Sequence, residues 1–540
     1  MKHVLTSIVA VLAISTGWTM TFPMDDRAIV HVLSRTGFGP RPGDVEKVRA
    51  LGLQRYIDEQ LRPERIADTN IAARLTGLTS VGLSSRQIAE QYELPQLEAR
   101  RQRKESAKDG DATAPDGAPP KDAVQQRANG VMVELSAQKV LRAVYSERQL
   151  QEVLTDFWFN HFNVDARKGR DRFLLTEYER ETIRPRVLGR FRDLLGATAK
   201  SPAMLFYLDN WMSADPNGPH LPDSAGRARS VRGPFGGRVL MPPLARVAAE
   251  GNQGKKAPKG LNENYGRELM ELHTLGVDGG YTQKDVTEVA RALTGWTIGN
   301  PRQGGGFTFD PRLHDTGQKT VLGHVIKAGG GESDGEQVLD ILARHPATAT
   351  FIATKLTRHF VSDTPPPALV ARVAARFRET NGDLREVMRT ILTSPEFLSP
   401  DAYRAKVKTP FEFVVSALRA TGAEVQDARP LVRELQQLGM PLYMCQPPTG
   451  YKDTSDAWVN TGALISRMNL SLRLAAGQLR GTSVNCGSRM ADCGLSDSDA
   501  VVARFLNGDA SESTRATIGK ATDAPKMVAL TLGSPEFQRR

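Results

Sequence analysis

The sequence predicts an all-α protein, a large multi-helix assembly with at most one short β-hairpin. Three observations predict it. Apolar residues recur at helical spacing over most of the 540 residues. The apolar–polar alternation of a half-buried strand is nearly absent. The breaks between periodic stretches fall at Gly, Pro and Ser-Pro steps, where helices stop and restart.

Taken in order, the chain opens with MKHVLTSIVAVLAISTGWTMTF. Lys2 precedes an apolar run over residues 4–15, which has the length and flank of an export signal and is too short to span a bilayer. A signal peptide over residues 1–22, cut somewhere between about 15 and 24, is expected, placing the mature chain in the periplasm or outside the cell. Helices are expected over 27–34, 44–51, 54–61, 123–145, 147–163, 171–183, 188–200, 262–275, 283–293 and 335–344. Others are expected over 347–361, 367–380, 384–392, 410–420, 427–438, 456–475, 497–506 and 522–532. The Gly-rich stretch from 306 to 326 is the place for the one hairpin. A single helical domain over 26–538 accounts for the pattern, with insertions at 104–122, which almost lacks large apolar residues, and at 213–260, rich in Gly, Pro and Arg. The motif Ser-Pro-Glu-Phe occurs at 394–397 and again at 534–537, each time closing a predicted helix.

Composition narrows the function classes. The net charge of +10 is spread along the chain, and aromatics are only 6%, so the interleaved basic and stacking residues of a nucleic-acid binder are missing. No later segment is apolar enough for a membrane span. The sequence has no GxSxG, HExxH, P-loop, CxxC or CxxCH motif. Cys486 and Cys493 enclose a short polar loop that an oxidising compartment would bridge, while Cys445 reads as a buried thiol.

Polar residues on apolar helix faces are the informative ones. His161 lies within the stripe Val153, Leu154, Phe157, Trp158. His359 lies among Phe351, Ile352 and Leu356 with Lys355 on the same side, and His273 has a similar setting. A buried imidazole costs a few kcal/mol unless its nitrogens find partners. If the three converge, they form a metal site, with a divalent metal as cofactor, or an acid/base cluster. If they do not, they are separately satisfied core histidines. On the 262–275 helix, Arg267, Glu268 and Glu271 share one stripe with Asn264, suited either to acid/base work on an anionic group or to plain surface pairing. His314 and Asp315 form another acid/base or metal candidate, or a loop tether. Thr282 and Asp285 read as a capping box.

These motifs carry a resemblance. FWFNHFNV (157–164), SPAMLFYLDN (201–210), the block from LNENYGRELMELHTLG to TGW (261–296), HFVSDTPP (359–366), KVKTPFEFVVSALRATGA (406–423) and PPTGY with its following Trp and Arg-x-Asn (447–469) resemble the domain-of-unknown-function family 1800. Asn160, His161, Asn262, Asn264, Arg267, Glu268, Glu271, His273 and Asp315 match its motif positions. The resemblance implies a bacterial exported protein with a neighbouring exported partner similar to sulfatases or phosphatases. It carries over no catalytic residue. Two functions follow: an exported acid/base or metal-dependent enzyme of the hydrolase type, or a non-catalytic scaffold for that partner.

Overall fold

The computed structural model describes residues 25–109, 121–218, 230–232, 238–240, 260–484, 495 and 497–540. The expected signal peptide and the Cys486–Cys493 loop therefore lie outside the described residues. The described residues are 60% helical, which puts the chain in the all-α class.

Local chemistry sets the helix starts. Pro occupies the first turn of the helices Pro202–Tyr207, Pro346–Phe360, Pro367–Glu379 and Pro410–Thr421, where its missing N–H costs nothing. Capping boxes open Gln283–Ala292, through Thr282 and Asp285, and Pro410–Thr421, through Thr409 and Glu412. In both Ser-Pro-Glu-Phe motifs the serine Oγ accepts from the phenylalanine N–H, at 3.1 Å for Phe397 and 3.3 Å for Phe537, and both rings are buried. The repeat is a shared cap that drives an aromatic ring inward.

Two expectations need adjusting. The helix Leu94–Asp109 runs into the 104–122 segment, steadied by the Arg101–Glu105 pair one turn apart, and Lys121–Tyr145 resumes at its far end. The expected hairpin exists, as Lys319–Val321 with His324–Ile326, turning through Leu322 and Gly323 at positive φ. Three further antiparallel pairs accompany it: Trp296–Ile298 with Phe307–Phe309, Glu424–Val425 with Thr482–Ser483, and Ser230–Arg232 with Arg238–Leu240. Strands of two or three residues are too short for alternation to register in sequence.

The principal core cluster draws residues from Ile29 through to Phe537. Two helices near its centre, Gln149–His161 and Pro346–Phe360, each turn one polar side into it. Pro410–Thr421 is buried along most of its length. The single expected helix over 171–183 is instead a 3₁₀ turn, a short α-turn and a π-helical turn, Tyr178–Ile183. The wide turn brings Glu179 inward to pair with Arg184 at 2.8 Å and to accept from Tyr443 Oη at 2.6 Å.

Candidate active site

The two central helices present pairs of residues one turn apart. Phe157 and His161 stand on one, Lys355 and His359 on the other. The Phe157 ring lies between the two imidazoles, with centroids 5.2 Å from His359 and 6.5 Å from His161. Together with the 440–454 segment and Glu412 they line a cavity of about 300 Å³.

His161 is fixed from both sides. Its Nε2 donates to the His273 carbonyl at 3.1 Å, and its Nδ1 accepts from Lys355 Nζ at 2.9 Å. Burial first, then Lys355 and His273, push the His161 imidazole well below its ordinary value, so it is neutral. Burial also brings the Lys355 ammonium down to about 8, with Asp453 opposing and Arg358 assisting. Among the described residues no carboxylate pairs with Lys355.

His359 is set up differently. Its Nδ1 donates to Asp453 Oδ2 at 2.8 Å, while its buried Nε2 has no hydrogen-bond partner among the described residues. Burial alone would raise the Asp453 carboxyl, but His359, Lys406 and Arg540 overcome it and hold it far below the usual range. Lys406 orients Asp453, donating to its backbone carbonyl at 2.6 Å with Nζ 3.2 Å from Oδ1, and it also reaches Asp363 at 2.6 Å. Glu412 completes the wall. Burial works against its ionisation, and Arg540, His359 and the Thr409 N–H prevail and lower it. Arg540 Nε lies 2.8 Å from Glu412 Oε1.

The loop that brings Asp453 is docked by one amide. Asn160 Nδ2 donates to the Tyr451 carbonyl at 2.8 Å and Oδ1 accepts the Tyr451 N–H at 2.7 Å, as a neighbouring strand would. Gly450 makes this approach feasible. It sits at φ +75°, and a Cβ there would fall 2.2 Å from the Asn160 carbonyl.

The family model described as Protein of unknown function (DUF1800) matches residues 31–539. The chain belongs to that family. No curated protein and no solved structure matches it.

This DUF1800 chain distributes its predicted site residues over three places. His161 and His359 share the cavity. His273 stands behind His161, ring centroids 6.3 Å apart, and offers its backbone carbonyl rather than its ring. The three imidazoles therefore do not form one metal-ligand set, and no group of three or more His, Cys, Asp or Glu suited to a metal occurs among the described residues.

Arg267, Glu268 and Glu271 lie half-buried on the helix Glu263–Glu271, outside the cavity lining. Arg267 donates to Gln283 at 2.6 Å, Glu271 accepts from Tyr281 Oη at 3.0 Å, and burial, then Glu271, raises the Glu268 carboxyl. Asn264, on the same stripe, is exposed.

His314 and Asp315 belong to a separate buried knot. His314 Nδ1 lies 2.8 Å from the Thr294 carbonyl and Nε2 3.1 Å from Asp334. Lys319, wholly buried, reaches Asp334 at 2.7 Å, and Arg291 grips Asp315 at 2.7 Å. With its carboxylates paired, this knot serves as a tether for the 310–334 loop.

Asp453, Glu412, Lys406 and Arg540 escaped the sequence reading. Their signal was faint: Lys406 and Glu412 stand inside the KVKTPFEFVV motif, and Asp453 two residues beyond PPTGY.

Proposed function

We propose that this protein is an exported acid/base enzyme of the hydrolase type that acts on an anionic substrate in the cavity between His161 and His359. The observation that carries the reading is the Asp453–His359 dyad, with Nδ1 held by a carboxylate and Nε2 buried and unengaged. An imidazole so oriented can take a proton at Nε2 while the carboxylate steadies the cation that results. In hydrolysis, Nε2 removes a proton from a water as the water oxygen bonds to the electrophilic centre, and the imidazolium returns that proton to the leaving oxygen.

The charges around the dyad support the substrate class. Lys139 is paired with Asp156 at 2.5 Å, Asp453 with Lys406, and Glu412 with Arg540. Among the described residues that leaves Lys355 and Arg358 as lining cations without a carboxylate partner, which suits a substrate bearing negative charge. The apolar N-terminal run supports export.

The test is hydrolysis of p-nitrophenyl acetate, phosphate and sulfate by the full chain, its His359→Gln variant and its Asp453→Asn variant. The expected result is turnover by the wild type of at least one ester, reduced about 10²–10⁴-fold in both variants, with helical circular dichroism unchanged. Equal rates in wild type and His359→Gln, zero included, overturn the proposal.

A further inference from the structure

A second cavity, of about 240 Å³, opens where the helix Asp26–Arg35, the Arg404–Lys408 segment and the helix Ser498–Leu506 meet residues 536–540. Cations outnumber anions among its lining residues: Arg41, Arg404, Lys408, Arg504, Arg539 and Arg540 against Glu46 and Glu536. Glu536 is already engaged, accepting from Ser511 and Thr514, and Glu46 is exposed. Arg404 reaches Asp509 at 3.3 Å and Arg540 reaches Glu412.

Lys408 is the residue that these pairings do not explain. It is only 6% exposed, yet its ammonium has neither a carboxylate nor a hydrogen-bond acceptor among the described residues. What it does have is the face of Phe537, 3.9 Å from the ring centroid. Burial brings this ammonium down to about 7; Glu412 opposes, and Arg404, Arg467 and Arg540 push the same way. A cation enclosed by other cations is costly unless an anion joins it. Arg404 lines the same cavity, its guanidinium anchored by the Asp509 carbonyl at 2.8 Å.

We infer that the Lys408 cavity binds a compact oxyanion of the phosphate or sulfate class, held by Lys408 within and by Arg404 and Arg504 at its rim. The inference does not depend on the chemistry of the His359 dyad. It has a consequence for that dyad, because Arg540 lines this cavity and pairs with Glu412, which lines the other.

Isothermal titration calorimetry of the full chain at low salt tests it, with inorganic phosphate and sulfate as separate titrants. Expected is saturable binding of at least one anion, weakened roughly tenfold or more by Lys408→Met and severalfold by Arg504→Gln. Arg504 is exposed, so its variant decides the matter if Lys408→Met fails to fold. No saturable binding up to about 10 mM of either anion, binding indifferent to both variants, or binding abolished instead by Lys355→Met would each overturn the inference.

Discussion

An ammonium 2.9 Å from a neutral imidazole, with no carboxylate paired to it among the described residues, is an expensive thing to bury. Lys355 accepts that cost, and the cost predicts a behaviour. In Lys355→Met the same space is filled without a charge, and replacing a poorly compensated buried charge by an apolar residue of similar shape is commonly neutral or stabilising. The variant should be as stable as wild type at neutral pH or more stable by about 1–2 kcal/mol, while losing capture of an anionic substrate. The sign reverses with alkali. Lys355 titrates near 8 when folded and near its ordinary 10.5 when unfolded, so the stability linked to it is absent below pH 8 and returns as the pH rises toward 10.5. Urea unfolding of both proteins across that window should show the wild type gaining on the variant. A constant difference would mean that Lys355 does not change its proton affinity on folding.

The helices were legible in the sequence because their apolar faces repeat, and the polar residues that interrupt those faces, His161 and His359, did mark a cavity. The segment carrying Asp453 was not legible. Residues 447–454 have no period, and Asp453 meets His359 across 94 positions of chain, a pairing that only packing creates. Its docking rests on Asn160, so Asn160→Ala should cost about 1–3 kcal/mol, the value of two hydrogen bonds whose backbone partners at Tyr451 are left unsatisfied. Faster hydrogen exchange at the Tyr451 amide, together with a lower urea midpoint, would locate the damage in this loop. An unchanged amide would show that the loop is held by other contacts. Periodicity left one case open. Arg267, Glu268 and Glu271 form the tidy polar stripe that a helical wheel favours, but a stripe records which residues share a side, not what that side faces.

Over the whole molecule, three neutral imidazoles link folding to acidity. Burial, then Arg35, holds His31 down to about 3, and burial, then Lys355, does the same for His273. Burial, Lys355 and His273 also depress His161 well below its ordinary value. Each gains a proton on unfolding below about 6.5, so the stability they confer is complete above that pH and drains away as the pH falls toward 3, at about 1.4 kcal/mol per pH unit for each. Asp453 and Glu412, both lowered, add to the loss below pH 4. The urea midpoint should therefore fall steeply between pH 6.5 and about 4.5, before ordinary carboxylates titrate; a flat midpoint there would contradict the neutral assignment.

The pairing of Arg540 with Glu412 bears, finally, on timing. Ribosomes add residues in order, and the backbone of Lys406 exchanges hydrogen bonds with Arg540 itself. A growing polypeptide can thus assemble its helices early but cannot form the clasp behind Glu412 until residue 540 has been joined.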